Sequence, residues 1–487
     1  MKNKFFKYIS CVALLVGLLN TSCDKWIDPA LNIDPDNATD VYSALILPAA
    51  EANLGYMYQG FDYAGITGMW LQYFEGTDRQ AMGMYNYLYT SDDCDNFYLS
   101  LYSGVMEDCE KIIERSSVEG KTNPHLKGMS EVLIAISLGT VTGLWGDVPY
   151  TEAFKGDGNL KPKFDSEESI YATIQSLLDQ AITDLGSADN DYEEQYISNG
   201  GQDMIYGADY SLWTKAAYTL KARYALRLSN KATFNADDCL TWLSNGIASS
   251  GEDFQFNFYD AAYLSSNPLF EYYWERYGYA FTNAIFTDML AATGDPRIVV
   301  FQNDPNDTYW STGGFALGYA SSPCILTSYF EAKFIEAECD MLKSDAAAAA
   351  IAYNDAVTAS LDKWGLTTAD GIATLDNNFA AFGNDPSGLD EATVTAWLAA
   401  NAAETAGTIT MEKIMTGKYI AMYAQGESWS DFRRYGNQYP ALAPPPANTT
   451  NGVFPESYLY PTNEKVSNGA NVPARGTVTA KLWAFQP

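Results

Sequence analysis

Histidine is nearly absent from this sequence, since it occurs once in 487 residues, at His125. A metal site built from several histidines is therefore excluded, and a catalytic triad of the Ser-His-Asp or Cys-His type would have to use this residue. His125 follows Asn123 and Pro124, a combination typical of the start of a helix. We expect it to be an ordinary surface side chain, and we expect no metal and no cofactor.

Cysteine and basic residues are also scarce. The five cysteines that follow Cys23 show no CxxC spacing, so the sequence predicts neither a zinc site nor a disulfide framework. The 29 Lys and Arg against 61 Asp and Glu give a formal net charge of −32. Because nonspecific binding to nucleic acid needs clustered basic residues, that function is excluded. A strongly polyanionic ligand is disfavoured unless a local arginine cluster overrides the overall charge.

Long apolar runs are missing. Lys2, Lys4 and Lys7 precede the apolar stretch Cys11–Leu19, which is far shorter than the ~20 residues of a membrane span. With Asn20-Thr21-Ser22-Cys23 after it, this pattern predicts a lipoprotein signal peptide over residues 1–22 and lipidation of Cys23. Ordinary cleavage of a secreted protein is the alternative. We expect no second run of spanning length, so the protein would be anchored to a membrane rather than threaded through it.

The rest of the chain predicts a mostly helical domain over residues 41–487, after a tether at 23–40 that is rich in Asp and Pro. Apolar side chains recur at helical spacing in consecutive segments separated by short turns, which favours helical hairpins of tetratricopeptide type. Long stretches rich in aromatic residues and glycine interrupt them, at about 60–90, 187–209, 251–325 and 436–487. The predicted helices lie at Met129–Leu144, Ser166–Leu185, Tyr210–Leu228, Tyr329–Met341, Ala346–Leu361 and Glu412–Ala424.

Several conspicuous residues are interpreted as structural. Gly139 and Gly143 continue the apolar face of their helix and would allow close packing. The turn Trp145–Tyr150 contains a Gly and a Pro that end a helix, and its Asp147 can cap amides. Other residues in this class are Trp213 as core, Lys221, Arg223 and Arg227 as a solvated face, and Arg433 with Arg434 as an ion-pair network rather than an anion site.

Blocks spread from residue 28 to 483 together resemble SusD/RagB-family lipoproteins. They include Asn123–Gly128 leading into Leu144–Ala153, Asp209–Ser229, Asp295-Pro296-Arg297, Lys418–Arg434 and Lys481-Leu482-Trp483. The resemblance implies a tetratricopeptide-like scaffold with an irregular ligand-binding part, held on the outer face of the outer membrane. It also implies a partner, a SusC-like TonB-dependent transporter over which this protein sits as a lid. The family is not catalytic, and most studied members bind glycans while some bind peptides.

Ligand-facing aromatic residues are expected in the long excursions. The 35 Tyr and 11 Trp will mostly be core, but a flat ring with a polar neighbour suits the apolar face and hydroxyl rim of a sugar. Two segments have this composition, around Asp78–Tyr87 and Phe270–Tyr279, with Trp310 shortly after. The candidate ligand-binding residues are Arg79, Tyr85, Asn86, Tyr87, Tyr272, Tyr273, Trp274, Tyr277 and Trp310.

We therefore expect a non-catalytic lipoprotein that captures oligo- or polysaccharide and delivers it to a SusC-like transporter. A lid that binds peptides or protein fragments for a TonB-dependent peptide importer is the main alternative, since the acidic field would favour basic cargo. A glycosidase needs only two carboxyl groups. Among 61 acids no motif singles out such a pair. A structural lid without affinity of its own is a further possibility.

Overall fold

The computed structural model describes residues 41–188, 192–198, 201–258, 265–276, 278–301, 319–381 and 386–487. The chain divides into two units, Met1–Tyr42 and Ser43–Pro487, and the fold described below is that of the second. The predicted signal peptide, Cys23 and the tether at 23–40 lie outside the described residues.

The described part of the chain is mostly helical, as predicted, with four short strands. Its α-helices are α1 (Leu47–Tyr58), α2 (Ile66–Trp70), α3 (Arg79–Tyr85), α4 (Asp95–Leu101), α5 (Glu107–Ser116), α6 (Pro124–Trp145), α7 (Glu167–Leu185), α8 (Glu194–Ser198), α9 (Tyr210–Leu226), α10 (Ala236–Leu243), α11 (Pro268–Glu275), α12 (Ala284–Ala291), α13 (Ile298–Phe301), α14 (Tyr329–Leu342), α15 (Ala346–Asp362), α16 (Ala369–Ala381), α17 (Glu391–Asn401), α18 (Met411–Ala421), α19 (Glu427–Arg434), α20 (Ala447–Thr450) and α21 (Thr462–Ser467). The strands β1 (Phe74–Gly76) and β3 (Ala280–Thr282) pair antiparallel, and so do β2 (Phe254–Phe256) and β4 (Cys324–Thr327).

The scaffold is a set of long helices in which consecutive members pack against each other. Helix α6 packs on α7, α9 on α10 and α14 on α15, while α7 also contacts α9. This arrangement confirms the predicted helical-hairpin architecture. The helices begin at polar caps, as at Ser166, whose hydroxyl accepts from the Ser169 amide, and at Asp209, whose carboxylate accepts from the amides of Ser211 and Leu212.

Helix α6 lies at the centre of this scaffold. By length and composition it could cross a membrane, so the expectation of no second run of spanning length was wrong. All of its most apolar window is nevertheless buried inside the unit, which is the environment of a core helix. It ends at Gly146, whose φ of 78° only glycine adopts readily. The carboxylate of the following residue, Asp147, accepts a hydrogen bond from the Glu167 amide at 2.8 Å. The predicted capping role of Asp147 is confirmed.

The glycines of α6 allow α9 to approach closely. A Cβ placed on Gly139 would lie 2.2 Å from Cε1 of Tyr224, and one on Gly143 would lie 2.8 Å from Nη1 of Arg227. The predicted close packing at these glycines is confirmed, and Trp213, at the first turn of α9, is core as predicted.

The expectation that Lys221, Arg223 and Arg227 form a solvated face was wrong, because all three are buried. Helices pack on more than one side of α9, so its polar face is covered as well as its apolar stripe. Each charge is neutralised by a carboxylate from elsewhere in the chain, since buried charges are tolerated only when paired. The partners are Asp179 for Lys221, Glu331 for Arg223 and Glu427 for Arg227.

Two further basic residues, Arg433 and Arg434, are buried in the interior. Arg434 pairs with Glu338 and Asp431, which confirms the predicted ion-pair network for this residue. For its neighbour Arg433 the ion-pair prediction was wrong. Its guanidinium carbon lies 3.6 Å from the Trp429 ring centre, and its nitrogens donate to the backbone carbonyls of Gly143, Trp429 and Glu456.

His125 is buried, so the expectation of a surface histidine was wrong. Its ring centre lies 3.8 Å from that of Tyr210, and its Nε2 is 2.9 Å from the Ser187 carbonyl oxygen. The described part of the chain contains no cluster of metal-ligating side chains, and the five cysteines after Cys23 are buried free thiols.

The C-terminal segment is bound to the end of α6. An aromatic cluster joins Trp145 to Tyr458, with ring centres 5.5 Å apart, and extends to Trp70 and Trp429. The Trp145 indole donates to the Leu459 carbonyl at 2.8 Å. Much of the aromatic content is therefore core, as expected, and these aromatic contacts hold the C-terminal excursion against the helical scaffold.

Candidate ligand-binding surface

The two aromatic segments predicted to bind ligand lie side by side in the structure. They are about 200 residues apart in sequence, and the β1–β3 ladder joins them, with Gly76 opposite Ala280. The ladder is extended by the Thr77 amide, which donates to the Tyr279 carbonyl at 2.7 Å. Gly76 is required here, because a Cβ would lie 2.0 Å from the Ala81 carbonyl oxygen of the following helix. Strand β1 thus sets α3 against the turn that precedes β3.

Helix α3 carries the first group of candidates. It begins after Asp78, whose carboxylate accepts from the Arg79 amide at 2.8 Å. Arg79, the first residue of α3, and Tyr87, two residues after its end, have φ of 45° and 62°, a region that non-glycine residues rarely occupy. Backbone strain of this kind costs roughly 1–3 kcal/mol at each such residue.

The second group lies on α11 and the turn after it. Asn267 caps α11, with its side-chain oxygen accepting from the amides of Leu269 and Phe270. Residues four apart share a helix face, and Phe270 and Trp274 stack with ring centres 5.8 Å apart on the outer face. Trp274 is 48% exposed, a large fraction for a tryptophan.

Tyr272 and Tyr273 point the other way and are buried. The Tyr272 ring stacks on Phe61 at 4.0 Å, and Tyr273 packs against Phe74. Burial raises the pKa of both phenols, more than the nearby Arg276 lowers that of Tyr272. These two rings hold α11 in place and do not present an open face.

Cationic groups lie over two of the aromatic rings. The guanidinium carbon of Arg79 is 5.6 Å from the centre of the Tyr279 ring, and that of Arg276 is 4.8 Å from the centre of Tyr272. Arg276 also lies 3.6 Å from a carboxylate oxygen of Glu275. Arg79 is exposed, so it contributes a cation beside an aromatic ring at the surface.

The remaining candidates on this side are arranged around α3. Tyr85 and Asn86 are half-buried, and the Tyr85 hydroxyl is 3.5 Å from Nδ2 of Asn283. Tyr87 is buried, which raises its pKa to about 12 against a weaker lowering by a hydrogen bond with Gln72. Tyr277 and Trp310 lie outside the described residues.

We name as the aromatic surface the side chains that are at least partly exposed in these two segments. They are Arg79, Tyr85, Asn86, Phe270, Trp274, Arg276 and Tyr279. Phe270, Arg276 and Tyr279 were not among the residues chosen from the sequence, although they belong to the aromatic cluster noted there. Phe61, which supports Tyr272, carries no sequence signal, because it joins the site only through the fold.

Comparison with known proteins shows which family has this architecture. A family model described as SusD-like, starch-binding and associating with the outer membrane, matches residues 36–461. No curated protein sequence matches the chain. A SusD/RagB family protein from Bacteroides thetaiotaomicron VPI-5482 superposes with a TM-score of 0.74 and 24% identity, covering 92% of this chain and 99% of its own.

Two other solved structures share the fold. A chitin-binding SusD homologue from Flavobacterium johnsoniae has a TM-score of 0.68 and 20% identity, and covers 91% of this chain and 98% of its own. A SusD homologue from Bacteroides uniformis ATCC 8492 has a TM-score of 0.65 and 20% identity, with coverage of 92% and 100%. The family model spans most of the sequence and these structures span nearly all of the fold, so the chain belongs to the SusD-like family.

Proposed function

We propose that this protein captures an oligo- or polysaccharide on its aromatic surface and delivers it to a SusC-like TonB-dependent transporter, without catalysing a reaction on it. The observation that carries the proposal is the stack of Phe270 on the exposed Trp274, on the segment that the β1–β3 ladder joins to Arg79. A sugar ring can lie on an indole face while its hydroxyl groups bond the neighbouring polar side chains. A centrally placed aromatic anchor of this kind can cost ~2 kcal/mol or more of binding energy when truncated.

The individual roles differ along the surface. Trp274 is proposed as the main platform, and Arg79, Asn86 and Tyr85 as the groups that bond the hydroxyl rim. Tyr87, Tyr272 and Tyr273 are buried, so their proposed role is to support the platform. Tyr277 and Trp310 stay candidates from the sequence alone.

The proposed position in the cell follows from the N-terminal sequence and the family description. Residues 1–22 are proposed to be removed as a signal peptide, Cys23 to carry the lipid, and 23–40 to tether the domain 41–487 to the outer face of the outer membrane. Several acyl chains on one cysteine would hold the protein durably, whereas a single chain binds membranes marginally.

Binding can be tested with the chain from residue 24 onward, against neutral and charged polysaccharides, by affinity electrophoresis and then calorimetry. We expect selective retardation of the unmodified protein and a loss of affinity of about 10- to 100-fold in Trp274→Ala, corresponding to roughly 1.4–2.8 kcal/mol. Ile351→Ala is the control, because Ile351 is an exposed apolar side chain on the scaffold helix α15. Equal affinity of Trp274→Ala and the unmodified protein would overturn the assignment of this surface.

Two further measurements separate the alternatives. Retention of basic peptides with no retention of any polysaccharide would transfer the proposal to peptide import. Release of reducing ends from a bound polysaccharide would contradict the non-catalytic role. Co-purification with a transporter from native membranes tests the proposed partner.

A further inference from the structure

Two cysteines, Cys239 and Cys339, lie together in a small buried cluster that is separate from the main core. The cluster is formed by three helices that pack on one another, α9, α10 and α14, and its members are Ala222, Leu226, Ala236, Cys239, Ile335 and Cys339. Four of these six side chains are alanine or cysteine, and side chains this small allow the helices to approach closely. Both cysteines are fully buried free thiols.

The two thiol groups are in direct contact. The Cys339 thiol is hydrogen-bonded to Cys239, and this hydrogen bond, together with burial, raises the pKa of Cys339. The Cys239 thiol in turn donates to the Ala222 carbonyl, with Sγ 3.8 Å from the oxygen. The two sulfur atoms therefore face each other between α10 and α14. A short movement of the side chains would bring them to the S–S bond length of about 2.05 Å.

The other three cysteines after Cys23 have neighbours of a different kind. The Cys94 Sγ lies 3.5 Å from the carbonyl oxygens of Ser91 and Leu459. The Cys109 thiol is hydrogen-bonded to Ser130, and burial raises its pKa. For Cys324, on β4, burial is the cause of a raised pKa. The cysteines therefore divide into one thiol pair and three thiols with other surroundings.

We infer that Cys239 and Cys339 form a disulfide bond in the exported protein, which joins α10 to α14. The step is thiol–disulfide exchange with a protein disulfide of an oxidising compartment. The thiolate of one cysteine attacks that disulfide, which forms a mixed disulfide and releases one thiolate. The second cysteine attacks the cysteine sulfur of the mixed disulfide and releases the other. Both cysteines are thereby oxidised, and the oxidant is reduced to two thiols that take up the two protons.

Access to the sulfur atoms decides when the bond forms. The exchange needs a thiolate that the oxidant can reach, whereas both cysteines are fully buried in the folded protein and the pKa of Cys339 is raised. The exchange therefore takes place while the chain folds, before α10 closes on α14. It requires export from the cytosol, where thiols are kept reduced, but it does not require the aromatic surface to bind glycan.

Counting the thiols of the exported protein tests the bond. The chain from residue 24 onward contains five cysteines. A foreign signal peptide exports it to the periplasm of a bacterial host, so the result does not depend on the proposal for residues 1–22. The protein is denatured without reductant, alkylated and analysed by mass spectrometry, and we expect three alkylated cysteines and a peptide pair joined through Cys239 and Cys339. Five alkylated cysteines, or joined peptides that involve other cysteines as often as these two, would overturn the inference.

Two variants show whether the pairing is specific. In exported Cys239→Ala all four remaining cysteines should be alkylated, because Cys339 has lost its partner. Cys109→Ala is the matched control, since Cys109 is an equally buried cysteine on α5. It should keep the joined peptide pair and leave two alkylated cysteines. Loss of the pair in Cys109→Ala, or a new pair that contains Cys339 in Cys239→Ala, would count against the assignment.

The melting temperature shows whether the bond fits the fold. The bond closes a loop of about 100 residues, so the exported protein should melt about 2–5 °C above the same chain made in the cytosol and kept in reductant. Cys239→Ala from the two sources should melt at the same temperature. An exported protein that melts at or below the reduced one would overturn the inference, because the bond would then be strained against the fold.

Discussion

The buried pair of Arg227 and Glu427 supports a quantitative prediction about stability. Both side chains are almost fully buried, and the guanidinium makes a two-point contact with the carboxylate while also donating to the Gly139 carbonyl. Arg227→Met removes one charge and leaves the Glu427 carboxylate buried without its partner. Breaking a buried pair in this way costs about 3–5 kcal/mol.

That free energy converts to a modest change in melting temperature, because the unit is large. Unfolding entropy of about 2.1 cal/mol/K per residue over Ser43–Pro487, about 445 residues, gives roughly 0.9 kcal/mol/K. We therefore expect Arg227→Met to lower Tm by about 3–5 °C, and to shift the urea midpoint with the slope unchanged. Tryptophan fluorescence of the chain from residue 24 onward reports the transition.

Removing both charges should recover most of the loss. Replacement of a buried pair by apolar side chains is often neutral, so the double variant Arg227→Met with Glu427→Leu is expected within about 2 kcal/mol of the unmodified protein. Lys111→Met is the control, since Lys111 pairs with Glu107 at 3.1 Å on an exposed helix face, where a pair is worth about 1 kcal/mol at most. The reasoning would be refuted if Arg227→Met lowered the free energy of unfolding no more than Lys111→Met does. It would also be refuted if the double variant lost as much stability as Arg227→Met and Glu427→Leu lose together when measured singly.

Three other predictions follow from single contacts. Gly139→Ala should destabilise the fold by about 1–3 kcal/mol, because its Cβ would overlap the Tyr224 ring. Adding Tyr224→Leu should restore part of the lost stability. A Gly139→Ala protein that unfolds at the same urea concentration as the original would contradict this packing. Burial raises the pKa of Glu131 from 4.5 to about 8, so the folded state keeps a proton that the unfolded state releases, and stability should fall as the pH rises from about 4.5 to about 8. Glu131→Gln should flatten this decline in urea titrations at several pH values, and an unchanged pH profile would count against it. Trp274→Ala should leave Tm within about 1 °C because the indole is half exposed, so a large drop would show that Trp274 holds the fold together instead of facing ligand.

The scaffold was predictable because its signals are local. Ser166 and Asp209 mark helix starts, and the apolar spacing after them fixes the buried face within a few turns. The same reasoning failed at Arg223 and Arg227. Their burial depends on carboxylates more than 100 residues away, and a polar face covered by a second layer of helices has the same sequence pattern as a solvated one.

The candidate site was predictable only in outline. Composition located the two aromatic segments, but a three-residue ladder between β1 and β3 brings them together, and strands this short carry no periodicity. On α11 the outward pair Phe270 and Trp274 and the inward pair Tyr272 and Tyr273 are all aromatic. Without polar contrast around the helix, sequence could not tell the exposed ring from the buried ones.

The hydrogen bonds between the C-terminal segment and helices α6 and α7 affect when the protein can fold. The amides of Trp483 and Ala484 donate to the Glu167 carboxylate, and the Tyr458 amide donates to the Leu144 carbonyl, so the ends of both helices are completed by residues made some 300 positions later. Contacts between such distant parts of a chain form slowly, because a long loop must close first. A partly synthesised chain lacks the amides that complete these contacts, so we expect this part of the fold to close only when the last segment is available. The export that the signal peptide at residues 1–22 is proposed to direct needs a loosely folded chain, and late closure of the fold would favour it.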